Sequence, residues 1–547
     1  MEWVTLAIIC QVLGNGNWFV RTSGKKPRNP IKNNNSRDNE HNMNRTSTRI
    51  AALFLVVCLA GTTLAEPERR RVIDVGSKKQ LFVDELFIES SRGVTLTMNP
   101  PYRDGKVLLT NDRPWETGPD RYIGVYSSVI EENGVVRLWY DSRRDGDQRY
   151  GRVAYAESKD GLHFTKPILN LHEIDGSKEN NVVIPGIIGG CAVWIDPKAP
   201  PEHRYKTQAK VYPSREFHMH SSPDGLRWKL LARLNPGRGG WDTQSVAFWD
   251  PNIERYALYT RYWMSHRHGT AKAPENFRTV RRLESDDLKS WDKQSIVIGP
   301  DEADRALHAT PPGQPPVDYY GADVFRYAEA DRVYIMLPQA YWHWKPRAPR
   351  NGLGPAGFDV RLAVSRDGGN FQRSGGRKPF MAMGPAGRFD SKFVWAMPDP
   401  VRMGNELWIY YVGSNRDHDG YVDSAAPDGK HLTGISRAVL RLDGFVSANA
   451  DYAVGEITTP LIKFSGQRLE LNVETSGGGS VIVELLDEND KPISGFSKTD
   501  ATPVNGNSVR MPIRWGDRAE VSTLTGRPVR IRFHMRDCKL YAFQFTD

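Results

Sequence analysis

At 547 residues and 39% hydrophobic content the chain is long enough to bury a large core, and two domains are the expectation for that length. Its 15 Trp, 21 Tyr, 49 Gly and 36 Pro favour an all-β protein with many turns over a helical one. The net charge of +9 does not signal nucleic acid, because residues 1–65 hold eight Lys/Arg against three acids and so carry most of the excess; no nucleic-acid partner is expected.

In chain order, Met43 to Arg49 is basic, Ile50 to Ala60 is apolar, and Thr63-Leu64-Ala65 supplies small residues at a cleavage point. Residues 43–65 therefore read as a secretory signal peptide, and residues 1–42 as an over-extended, disordered N-terminus. Two alternatives stay open: Val4 to Leu13 as the true signal, or Ile50 to Ala60 retained as an anchor. Both apolar runs are short for a bilayer, so a secreted or periplasmic chain with no membrane span after cleavage is expected. Cleavage leaves Cys191 and Cys538, expected to be free buried thiols. With no C-x-x-C and no H-E-x-x-H, no metal site is expected.

Gln80 to Ile88 and Val94 to Met98 read as strands outside any repeat, one of them completing the last sheet. Five strand pairs follow. They open at Tyr122, Cys191, Gln244, Ala322 and Val394, and most turn at Gly-, Asn- or Asp-rich positions. A second signal recurs with them: Ser158-x-Asp160, Ser222-x-Asp224, Ser285-x-Asp287 and Ser365-x-Asp367, each followed four residues after the aspartate by Phe or Trp. The spacing of roughly 60 to 80 residues suits one propeller blade. These aspartates read as turn caps between two strands, with the aromatic packing between neighbouring sheets. The fold expected is all-β: a five-bladed β-propeller over 72–454, then a small C-terminal β-sandwich over 455–547, where Leu469 to Val473, Val481 to Leu485 and Val529 to Phe533 alternate with period two.

The five units, the repeated turn, the openings Phe82-Val83-Asp84-Glu85 and Trp194-Ile195-Asp196-Pro197, and the export signal together resemble the five-bladed β-propeller glycoside hydrolases, which include invertases, levansucrases and arabinanases. The resemblance spans about residues 80–450 and is architectural. It implies a carbohydrate substrate, no organic cofactor, a structural calcium ion in some relatives, and inner-strand carboxylates around a central funnel. Those carboxylates act as nucleophile or base, as transition-state stabiliser and as a glutamic acid proton donor. The sequence lacks a W-M-N-D-P-N-G block, an isolated R-D-P and an E-C glutamate, so no motif identifies the donor.

Topology narrows the search. In an antiparallel blade the start of strand one, the end of strand two and the start of strand three share one end, and the repeat aspartates lie at the other. On the working end the candidate catalytic carboxyls are Asp120, as base or nucleophile, Asp242 opposite it, and Asp318 or Glu116 as a third. Two such groups must flank a glycosidic bond, one of them protonated. Candidate sugar-binding residues are Trp115, Arg121, Tyr122, Trp241, Arg261, Trp263, Tyr320, Asp323, Trp342, Trp344 and Trp395, since aromatic faces stack on sugar rings and charged groups take their hydroxyls. His266, His268, His343 and His418 read as hydrogen-bonding residues. The rival reading is a non-catalytic carbohydrate-binding or scaffold propeller; a sialidase-like propeller would want six blades and three clustered arginines.

Overall fold

The structure, a computed structural model, describes residues 72–547 apart from 119, 148–150, 236–241, 265–276, 307–316, 344–356 and 419. The tail and signal segment read over 1–65 lie outside those residues. The described residues belong to one compact unit, and nearly all of their regular structure is strand.

Each of the five pairs read from the sequence is an antiparallel pair, at the heart of a four-stranded unit in the first four and of a three-stranded one in the fifth. In the first, Val135–Arg144 pairs with Arg121–Ile123 and Ser128–Glu132 on one side and with Arg152–Ser158, then Val182–Pro185, on the other. The second runs Ile187–Ile195, Tyr205–Val211, Phe217–Ser222, Lys229–Leu234, and the third Val246–Asp250, Arg255–Met264, Phe277–Ser285, Asp292–Ile298. The fourth is Val317–Arg326, Tyr334–Trp342, the interrupted strand Phe358–Val360 with Ala363–Ser365, and Gln372–Arg373. The fifth is Phe393–Ala396 with Val401–Met403, then Glu406–Ser414 and Thr433–Arg441. A single parallel pair, Phe358 with Phe393, joins the fourth to the fifth.

The repeated turns dock one sheet on the next. In all four, the serine hydroxyl donates to the aspartate Oδ1, and that oxygen accepts two backbone N–H groups at 2.8 Å, those of Leu162 and His163 in the first copy. Such bonds to the charged form hold the carboxyls low, down to about 2 for Asp224 and Asp367 even though burial opposes it. The turn carbonyl then accepts a bond from the second strand of the preceding sheet: Trp139 Nε1 to Gly225 O at 2.7 Å, and Tyr259 OH to Gly368 O at 2.7 Å. The first sheet's turn is held in the same way by the fifth sheet, through Tyr410 OH to Gly161 O at 2.8 Å.

The third copy differs at one place. Leu288 occupies the left-handed position (φ 63°) where the other copies carry glycine, and its side chain is buried against Trp194 and Tyr256. Left-handed backbone costs a non-glycine residue about 1–2 kcal/mol, whereas deleting a buried leucine costs about 2–5 kcal/mol. Burial wins. Leu288→Gly should therefore destabilise the protein by about 1–3 kcal/mol despite relieving the backbone, read as a lower urea midpoint; an unchanged or higher midpoint would show that strain dominates.

The N-terminal strands correct the sequence reading. Neither Gln80–Leu81 nor Val94–Met98 completes the fifth sheet. The first pairs with Arg530–Thr546 and the second with Val446–Ala450. Residues 82–88, read as strand, contain the short 3-10 turn Glu85–Phe87, capped by Asp84. The outer edge of the fifth sheet is instead met by the chain just beyond, through bridges from Tyr102 to Val439 and Leu109 to Ile435. Residues 73–98 and 446–450 share strands with the C-terminal segment. The long strands Arg468–Leu486 and Arg530–Thr546 carry that eight-stranded sheet around a core of Phe82, Phe87, Leu471, Val483, Phe533 and Phe543. Cys191 and Cys538 are both free and buried.

Candidate active site

A cavity of about 180 Å³ opens where the first, fourth and fifth sheets meet, lined by Tyr122, Tyr126, Arg143, Tyr320, Trp395 and His418 among others. Two glycines make the close packing around it possible. A Cβ on Gly321 would stand 2.9 Å from the Trp395 ring, and one on Gly189 would stand 2.6 Å from the Asp242 backbone. The Tyr126 ring packs edge-on against Trp395 at 5.4 Å, Trp395 against Tyr320 at 6.0 Å, and the Tyr126 hydroxyl donates to the Asp242 carbonyl at 3.1 Å.

Charge gathers around Tyr320. The Arg261 and Arg278 guanidiniums lie 4.6 and 4.7 Å from its ring centre, His418 Nε2 lies 3.3 Å from its hydroxyl, and the Trp263 ring lies beside both arginines. Burial would raise the Tyr320 phenol, but His418, Arg261 and Arg278 outweigh it and bring it down to about 7. Its neighbour Tyr126 goes the other way, raised by burial and by Tyr320.

Each arginine also holds a carboxylate. Arg261 donates to Asp242, and Arg278 donates to Asp318 at 3.0 Å from its side chain and 3.1 Å from its backbone N–H. Burial pushes both carboxyls up, yet the facing guanidiniums win. Asp242 lies below the usual range and Asp318, which also has His343 at 3.6 Å, is held at about 2. A carboxyl lowered on folding contributes stability above its unfolded value, near 3.9, and loses it as pH falls through the folded one. The Asp318 contribution of about 2–3 kcal/mol should thus be complete at pH 5 and disappear between about pH 4 and 2. Asp318→Asn should flatten that part of the acid unfolding curve; an equally steep acid limb would remove the assignment.

The other sequence candidates fall elsewhere. Glu116 is not at the cavity. It is fully buried under the first sheet, accepting from Tyr140 OH and, at 2.5 Å, from Lys166 Nζ. Asp120 is exposed on the approach to the first sheet, where its carbonyl accepts the Asp145 N–H. Arg121 turns away to the Trp115 carbonyl and Asp175, while Trp115 Nε1 donates to Asn181 at 2.7 Å. Trp342 donates to Asp359 and lines a different crevice, with Tyr319 and Arg361. Asp323 is buried against Gln339, its carboxyl raised by burial with Asp399 nearby. Trp241, Trp344, His266 and His268 lie outside the described residues. So the cavity region gathers Tyr122, Asp242, Arg261, Trp263, Asp318, Tyr320 and Trp395 from the sequence set.

Two groups went unassigned in the sequence: Arg278 and Tyr126. Arg278 opens a third strand, an end that topology already marks, but only the register pairing Trp263 with Arg278 shows that it faces Tyr320's surroundings. Among the described residues no group of three or more His, Cys, Asp or Glu is placed to hold a metal ion.

No family model and no curated protein matches the chain. Solved structures similar to it include an N-acetylgalactosamine deacetylase from F. plautii (16% identity, 64% of this chain and 96% of that one, TM-score 0.40) and a β-1,2-mannobiose phosphorylase from Listeria innocua (14%, 63% and 97%, 0.40). An α-L-arabinofuranosidase from Fusarium graminearum is also similar (13%, 63% and 99%, 0.35).

Proposed function

We propose that this chain is an exported five-bladed β-propeller with a C-terminal β-sandwich that binds a poly- or oligosaccharide and hydrolyses a glycosidic bond at the Tyr320 cavity. One observation carries the reading: Tyr126, Tyr320 and Trp395 line one cavity with Arg143 and His418, and Arg261, bonded to Asp242, lies 4.6 Å from the Tyr320 ring centre. Aromatic surfaces beside fixed charged groups are what a sugar, apolar on its ring faces and polar at its rim, requires. The docking of the first sheet's turn on the fifth through Tyr410 supports a closed ring of five blades. The basic and apolar segments of residues 43–65 support export.

A second reading, a carbohydrate-binding propeller without catalysis, is favoured by one fact: Asp242 and Asp318 are both held ionised by arginines, so neither serves as a proton donor. The test is sugar release by the chain from Glu66 onward across fructans, arabinans, mannans and sulfated polysaccharides, with binding to each measured in parallel. Release of sugar from one of them establishes the hydrolase; binding without release establishes the second reading, and neither binding nor release removes both.

A further inference from the structure

We propose that Tyr320 is the proton donor of the glycosidic cleavage, with Asp242 as the opposing base. The inference rests on the hydrolase reading above and supplies the group that no sequence motif identifies. The carboxyls nearest the site already have partners: Asp417, which lines the cavity, accepts the Tyr421 N–H at 2.9 Å. Asp242 and Asp318 face guanidiniums, and Glu116 is locked to Lys166 outside the cavity. The Tyr320 hydroxyl is the acidic O–H that remains at the cavity, half-buried and reachable from it.

Its surroundings suit an acid that works near neutrality. Facing it are His418 from the loop after Glu406–Ser414, Arg261 from the second strand of the third sheet and Arg278 from its third strand. Asp242 approaches from the segment before Val246, Tyr126 from the first sheet and Tyr341 from the fourth. The two arginines and the histidine favour the phenolate that forms when the proton leaves, and Asp242 opposes it. A general acid is most effective when its pKa lies near the working pH.

The step balances without a cofactor. Tyr320 Oη–H gives its proton to the glycosidic oxygen as the bond from that oxygen to the anomeric carbon breaks, its electron pair going to the oxygen. A water oxygen forms the new bond to the anomeric carbon and its proton passes to Asp242. Asp242 releases that proton to solvent, and the Tyr320 phenolate regains one through His418, which is solvent-exposed at 3.3 Å from the hydroxyl. Arg261, bonded to Asp242 and close to the Tyr320 ring, ties the two groups together.

The test is Tyr320→Phe, which keeps the ring and removes the hydroxyl. On the natural polysaccharide kcat/KM should fall about 10²–10⁴-fold. On an aryl glycoside of the same sugar with a dinitrophenyl leaving group, which departs without protonation, it should fall less than tenfold. The alkaline limb of the pH–rate profile should vanish with the hydroxyl. Absorbance difference titration at 295 nm should show one tyrosine of the wild-type chain ionising near pH 7 and missing from Tyr320→Phe. Equal losses on both substrates, or an unchanged alkaline limb, would overturn the proposal. A wild-type chain that cleaves nothing overturns the hydrolase reading, and the donor role with it. An active chain with no tyrosine ionising near neutrality overturns the donor role alone.

Discussion

Lys166→Met should lower the unfolding free energy by about 3–5 kcal/mol, the largest single-residue loss of stability expected in the first sheet. Lys166 is buried, and each of its ammonium protons has an acceptor: Thr110 O at 2.6 Å, Asp112 Oδ1 at 2.9 Å and Glu116 Oε2 at 2.5 Å. Glu116 in turn accepts from Tyr140, whose hydroxyl also accepts from Asn181 Nδ2 at 2.7 Å, while Asn181 Oδ1 accepts from Trp115. Methionine fills much of the lysine volume, so packing changes little. What is lost is the charge opposite a fully buried carboxylate, and an uncompensated buried charge costs more than the pair contributes. The double variant Lys166→Met/Glu116→Gln should recover at least half the loss, because it removes the orphaned charge as well. Denaturant midpoints of the two variants decide it: a double variant no more stable than the single would mean that the loss comes from packing.

Asp242→Asn should reduce turnover of the cleaved polysaccharide by about 10²–10⁴-fold while leaving its binding nearly intact. Asparagine keeps the shape and one acceptor oxygen for Arg261 but takes no proton from water. The aromatic surfaces of Tyr126, Tyr320 and Trp395, which carry the proposed affinity, do not depend on that charge. Initial rates beside equilibrium binding separate the effects. Retained turnover would remove Asp242 from the chemistry, and lost binding with retained turnover per bound chain would make it a substrate ligand only.

How far the site was legible depended on the kind of interaction. Asp242, Arg261, Trp263, Asp318, Tyr320 and Trp395 were within reach because topology puts strand starts and strand ends at one face, and chain order alone fixes which residues those are. Glu116 and Asp120 met the same criterion and are not at the cavity. Position along a strand says nothing of a side chain's direction, and Glu116 points under the sheet because Lys166, fifty residues later, neutralises it there. Arg278 was missed for a related reason: its importance lies in facing Asp318 and Tyr320, forty and more residues away.

The sequence by itself determined the local elements: five antiparallel pairs from alternating apolar residues, and the four S-x-D turns, whose Ser–Asp and Asp–backbone hydrogen bonds are made within a few residues. Only the tertiary structure decided what closes and what meets. The segment at Tyr102 and Leu109 meets the fifth sheet's edge, while Gln80–Leu81 and Val94–Met98 go to the C-terminal sheet. An edge strand's backbone groups bond any neighbour of suitable reach, so its partner is chosen by the packing of the whole. The acidity of Tyr320 has the same origin, because it comes from His418, Arg261 and Arg278, delivered by separate segments of the chain, and electrostatic interactions act through space whatever the order in sequence.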